Sequence, residues 1–133
     1  MTKHVAAYLT TLAVMLALDG LWIGILAKTM YQEGIGHLTA SKPNLAAAAL
    51  FYVIYVSGLM VFAIVPPTPQ AGAARTAMLA GFFGFVAYAT FDLTSQALLK
   101  DWPWKVTLAD LVWGTFISAV SATAGRLVFD RLS

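Results

Sequence analysis

Apolar residues run almost unbroken through four stretches, at about residues 5 to 27, 44 to 65, 73 to 99 and 106 to 128, and polar residues gather in the breaks between them. Each stretch reaches the roughly 20 residues that a helix rising about 1.5 Å per residue needs to cross about 30 Å of hydrocarbon. Lipid offers backbone N–H and C=O groups no partners, and the alternating segments of a membrane barrel are absent, so the pattern predicts helices. The expected fold is all-α: one domain over residues 1–133, a four-transmembrane-helix bundle with short loops.

The breaks carry turn chemistry. Lys28 to Pro43 holds Gln32, Glu33, Gly34, Gly36, His37 and Lys42, a polar connection closed by Pro43, which suits the first turn of the next helix. Pro66, Pro67 and Pro69, followed by Gly72, stop the second helix and restart the chain. Lys100, Asp101, Trp102, Pro103, Trp104 and Lys105 make a tight third connection whose tryptophans fall where an interfacial aromatic belt is expected. The first span reads as a retained helix rather than a signal peptide, because its apolar run is long, contains an acid and lacks a small-residue cleavage site.

Composition agrees. Of 133 residues, 60% are hydrophobic and 11% charged, against about 25% charged in an ordinary soluble domain. A soluble fold of this size has too little interior for so much apolar surface, so lipid must cover it. The eight Lys and Arg are scattered, which leaves no basic stripe for a nucleic acid. Without cysteine there are no disulfides, thiolate metal sites or thiol nucleophiles. Lys3, Arg75, Arg126 and Arg131 fall on the side of the termini and Lys28, Lys42, Lys100 and Lys105 on the other, so the positive-inside rule barely decides orientation. The amino-terminal charge tips the reading toward both termini in the cytoplasm, and antiparallel dual insertion stays open.

Against this background three acids inside the apolar spans stand out: Asp19, Asp92 and Asp110. An acid at mid-bilayer costs about 2.5 to 3.5 kcal/mol on insertion scales and usually faces a protein interior or cavity. Counting residues from the nearer span ends puts the three roughly 12, 10 and 7 Å from one membrane face. With the first and third helices running one way and the fourth the other, all three are expected in the same leaflet, converging on one polar site. Neighbours at helical spacing fit: Tyr8, Leu12, Met15, Asp19 and Trp22; Tyr88, Asp92, Ser95 and Gln96; Asp110, Trp113, Gly114 and Ile117. Tyr52 and Tyr55 would supply phenols from the second helix.

Each acid also has a structural reading, in which it snorkels, caps a helix, or pairs with Lys28, Lys100 or Lys105. For Asp110 that reading weighs more, since Thr107 and Asp110 fall in a first turn where an acid suits the helix dipole. For the deeper Asp19 and Asp92 a functional role weighs more. The tryptophans read first as interfacial anchors or packing. Asp19-x-x-Trp22 and Asp110-x-x-Trp113 also hint at an inverted repeat, as in transporters. Gly81, Gly84, Gly114, Ser118, Ser121, Ala122 and Gly125 give small-residue spacings for close helix approach, within the bundle or between copies. His4 and His37 lie outside the spans and no phosphate loop or H-E-x-x-H is present, which argues against haem or histidine-bound zinc.

From Tyr88 to Ala97, and through Leu99-Lys100-Asp101-Trp102-Pro103 and Asp110-Leu111-Val112-Trp113-Gly114, the chain resembles a family of small bacterial inner-membrane proteins grouped as a domain of unknown function. The likeness extends to Asp19-Gly20-Leu21-Trp22-Ile23-Gly24 and to Phe51-Tyr52-Val53-Ile54-Tyr55. It implies a four-helix inner-membrane protein whose characteristic positions match Asp19, Trp22, Tyr52, Asp92, Thr94, Trp102, Pro103, Asp110 and Trp113.

Three functions remain. The first is a ligand-binding or proton-coupled transport protein in which Asp19 and Asp92, with Asp110 and Gln96 nearby, take a proton or a cationic or polar group, while Trp22, Tyr52, Tyr55, Tyr88 and Trp113 line an amphiphile's path. The second is an accessory subunit of a larger membrane complex, or a homodimer. A lipid-modifying enzyme ranks last, because neither nucleophile nor metal cluster accompanies the carboxyls; the residues name no cofactor.

Overall fold

The helices begin and end where local chemistry dictates. In the computed structural model, which describes residues 1–68 and 70–133, α1 (Thr2–Leu21) continues through a wider π-helical turn at Trp22–Leu26. A short α2 (Lys28–Ile35) follows, then a 3-10 turn at Gly36–Leu38. Next come α3 (Leu45–Leu59), which also ends in a π-helical turn, Met60–Ile64, then α4 (Ala73–Leu98) and α5 (Trp104–Arg131). Four of these helices are long and apolar enough to cross a membrane, as expected. Asn44 caps α3 by accepting from the Ala47 amide at 3.1 Å. Pro43 therefore precedes the helix rather than occupying its first turn. Pro69, one of the expected helix stops, lies outside the described residues.

Two other expectations change. The polar connection after α1 contains α2, because Ala27, Met30, Tyr31, Gly34 and Ile35 recur at helical spacing and let that segment lie on α5. Gly34 allows it: a Cβ there would come within 3.0 Å of the Pro103 ring and 3.2 Å of Val106. The helix α5 starts at Trp104, which puts Asp110 in its second turn, beyond the reach of a first-turn dipole effect, and the first turn holds no acid.

The central element is α5, which packs along both α4 and α1. Small residues set those distances. A Cβ on Gly84 would meet the Gly114 carbonyl oxygen at 2.2 Å, and one on Gly125 would meet Thr11 Oγ1 at 2.0 Å. The small-residue seams thus serve contacts within the bundle.

Helix α3 is attached over its second half only. Tyr55, Val56, Leu59, Met60, Ala63 and Ile64 are buried, whereas from Leu45 to Ile54 every residue except the half-buried Tyr52 is exposed. The Tyr8 hydroxyl, donating to the Val53 carbonyl at 3.0 Å, holds α3 to α1 near the hinge of this divergence. The loosely attached half of α3 belongs to the acid-bearing half of the bundle.

Candidate functional site

Between the divergent half of α3 and the rest of the bundle lies a cavity of about 380 Å³. Asp19 and Asp110 are in its wall, with Trp22 and Trp113, Tyr31, Tyr52 and Tyr88. Phe51 and Phe91 flank it and are 42% and 58% exposed, so its mouth reaches the outer surface of the bundle at the depth of the acids.

Each carboxyl has a different environment. Asp19, 7% exposed, accepts from Tyr52 Oη at 2.5 Å on one oxygen and from Trp113 Nε1 at 3.1 Å on the other. Asp110 accepts from the Tyr31 hydroxyl, which itself accepts from Trp22 Nε1 at 2.9 Å. The indoles of Trp22 and Trp113 stack with centroids 4.5 Å apart and planes within 7°. The two Asp-x-x-Trp segments are therefore interlocked. Each tryptophan serves the other helix's acid, Trp113 directly and Trp22 through Tyr31.

Asp92 has no such support. It is fully buried, and neither of its oxygens has a hydrogen-bond donor. The neighbour within reach is the Asp110 carboxyl. Apart from the Ser121 hydroxyl, these two oxygens are the only buried side-chain polar atoms without a partner among the described residues. The lysines proposed as counter-ions do not take that part: the ion pairs among the described residues are His37 with Asp101 and Arg126 with Asp130.

The backbone explains why the wall fits together. A Cβ on Gly114 would fall 2.3 Å from Cγ of Tyr88, so glycine is what lets that side chain approach α5 so closely. The π-helical turn in α1 begins at Trp22, and such turns are frequent at functional sites.

Of the residues expected at the site, Asp19, Trp22, Tyr52, Tyr88, Asp110 and Trp113 line the cavity, and Asp92 lies behind Asp110. Tyr55 and Gln96 stand off it. Tyr55 Oη is 2.5 Å from Ser118 Oγ, and Gln96 joins the ends of α4 and α5 by donating to the Trp102 carbonyl at 2.6 Å and accepting from Thr107 at 2.8 Å. Trp102 is buried, with Nε1 donating to Thr107 at 3.1 Å, so of this pair only Trp104 is placed as a belt residue would be. Tyr31 was missed by reasoning from the spans alone. It lies outside them, and the amphipathic spacing of α2 was its one signal. Burial and then its bond to Asp110 push the Tyr31 phenol above its ordinary range.

No group of three or more His, Cys, Asp or Glu able to hold a metal ion occurs among the described residues. A family model described as a predicted membrane protein (DUF2177) matches residues 4–127. No curated protein and no solved structure matches the chain.

Proposed function

We propose a function for a chain that belongs to the DUF2177 family of predicted membrane proteins: it takes a small amphiphilic ligand from the bilayer into the carboxyl and aromatic cavity and exchanges a proton there. The observation that carries this reading is a cavity whose mouth reaches the outer surface of the bundle while its wall holds two acids without a base, with a third, unpartnered acid behind them. Two carboxylates repel; a carboxylic acid donates to a carboxylate. A proton shared between Asp92 and Asp110 gives Asp92 the hydrogen bond it otherwise lacks, and a ligand reaching Asp110 would compete for it. That competition is the elementary step of a proton-coupled carrier. The setting proposed with it is the bacterial inner membrane, both termini cytoplasmic.

Infrared spectroscopy of the purified protein in lipid nanodiscs tests the proton. The carbonyl stretch of a protonated acid is expected at neutral pH and should vanish in Asp92→Asn. A thermal-shift screen of amphiphiles tests the ligand. If Asp19→Asn and Asp92→Asn leave every thermal shift and the infrared band unchanged while the bundle stays folded, the reading fails.

A second reading, an accessory subunit, draws on the apolar half of α3: Leu45, Leu50 and Ile54 are 75%, 60% and 63% exposed. A stoichiometric larger partner recovered in gentle detergent would favour it; an isolated monomer or homodimer would count against it.

A further inference from the structure

We infer that the ligand of this cavity is an organic monocation with an apolar body, an amine or quaternary ammonium compound, held by Asp19. The inference rests on the ligand-binding reading and adds the sign of the charge. Charge decides first. Asp19 and Asp110 are the ionisable acids in the wall, no Lys, Arg or His accompanies them, and the lysines of that half, Lys28, Lys42, Lys100 and Lys105, are exposed. An anion entering here would meet carboxyls and phenols, and would find no positive charge.

Asp19 has remaining capacity. An ionised carboxylate offers about four lone-pair positions, and Tyr52 and Trp113 occupy two of them. Its donors are neutral, so they orient the carboxylate without cancelling its charge.

The rest of the wall selects the kind of cation. A metal ion wants several oxygen ligands at once, and the described residues bring together no group of three or more His, Cys, Asp or Glu to supply them. An organic ammonium asks for less: one carboxylate and aromatic faces within about 6 Å, which recognise diffuse positive charge through the ring quadrupole. Tyr52 and Tyr88 border the cavity together with the stacked pair of Trp22 and Trp113, each of which covers one face of the other, and Phe51, Phe91, Ile23 and Ile35 give the mouth the apolar lining an attached hydrocarbon needs.

Three probes of similar shape separate the outcomes: benzyltrimethylammonium, its uncharged carbon isostere neopentylbenzene, and phenylmethanesulfonate. Each is titrated into the full-length protein in zwitterionic nanodiscs while tryptophan emission is followed, since Trp22 and Trp113 form the wall. The ammonium probe is expected to give a saturable change at least tenfold tighter than the isostere, and the sulfonate none. Asp19→Asn should lose at least tenfold in affinity for the ammonium probe, and Asp19→Glu should recover most of it; if Asp19→Asn does not fold, Asp110→Asn replaces it in the same titration. Equal affinity for cation and isostere, unaffected by Asp19→Asn, overturns the cation assignment and leaves ligand binding standing. Absence of any saturable change, together with absence of the infrared band of a protonated acid, overturns both.

Discussion

The two halves of this bundle each bury an ionisable side chain, and they treat it in opposite ways. Near the termini Arg126, 3% exposed, donates through Nε to Asp130 at 2.8 Å, through Nη1 to Thr76 Oγ1 at 3.2 Å, and through Nη2 to the Ala71 carbonyl. Thr76 in turn donates to the Ala63 carbonyl at 2.7 Å, so one guanidinium joins α5 to the start of α4 and the end of α3. In the other half Asp92 is wholly buried with both oxygens unpartnered, beside a second acid and an open cavity. Hydrogen bonds offset much of the desolvation cost of the buried guanidinium and fix its geometry, whereas a buried acid without a donor is a net cost to stability. The closed half holds the helices together; the open half leaves Asp92 without a donor.

Substitutions at these two buried groups should therefore change stability with opposite signs. Arg126→Met removes several hydrogen bonds from a charged donor and strands the Ala71 carbonyl. Asp130, 45% exposed, can return to water, so the expected loss is about 2–3 kcal/mol rather than the larger cost of a stranded buried charge. Denaturant unfolding in mixed micelles measures it, and a loss under about 0.5 kcal/mol would remove Arg126 from the structural side of the comparison. Asp92→Asn puts a permanent amide donor toward Asp110 in place of an acid that can donate only while it holds a proton, and is expected to gain about 1 kcal/mol. Destabilisation on the scale of Arg126→Met would mean that Asp92, too, is structural.

The same contrast explains what the chain revealed in one dimension. Spans were readable because helix period and bilayer thickness are both encoded in residue counts. Convergence of Asp19, Asp92 and Asp110 was readable because depth follows from about 1.5 Å per residue once the helices alternate in direction. Side-to-side relations were not encoded that way. Nothing in the spacing of Arg126 distinguishes it from the exposed Arg75 or Arg131, because its burial depends on Ala71 and Thr76, more than 45 residues away, closing over it. Nor does the composition of Leu45–Ile54, apolar on all faces, tell which way the segment leans. The interlock of the two Asp-x-x-Trp segments was half visible: the motif is in the chain, but the bridge comes from Tyr31 in a connecting segment.

Tyr31 gives the smallest and most specific test, because among the described residues it is the ionisable group that links the membrane acids to a segment outside the spans. Burial, and next its bond to Asp110, raise its proton affinity above the ordinary phenol value of about 10. The folded protein then holds this proton more tightly than the unfolded chain does. Its contribution to stability is complete below about pH 10 and is lost as pH rises from there through the folded value. Tyr31→Phe should cost about 1 kcal/mol at neutral pH, for one half-buried hydroxyl that serves Asp110 and Trp22, and should flatten the alkaline fall in stability. Arg126→Met, which touches no group titrating in that range, should lower the whole curve and keep its alkaline slope. Unfolding curves across the alkaline range compare the two directly. If Tyr31→Phe leaves the slope unchanged, the phenol does not couple α2 to the acids, and α2 covers the cavity by packing alone.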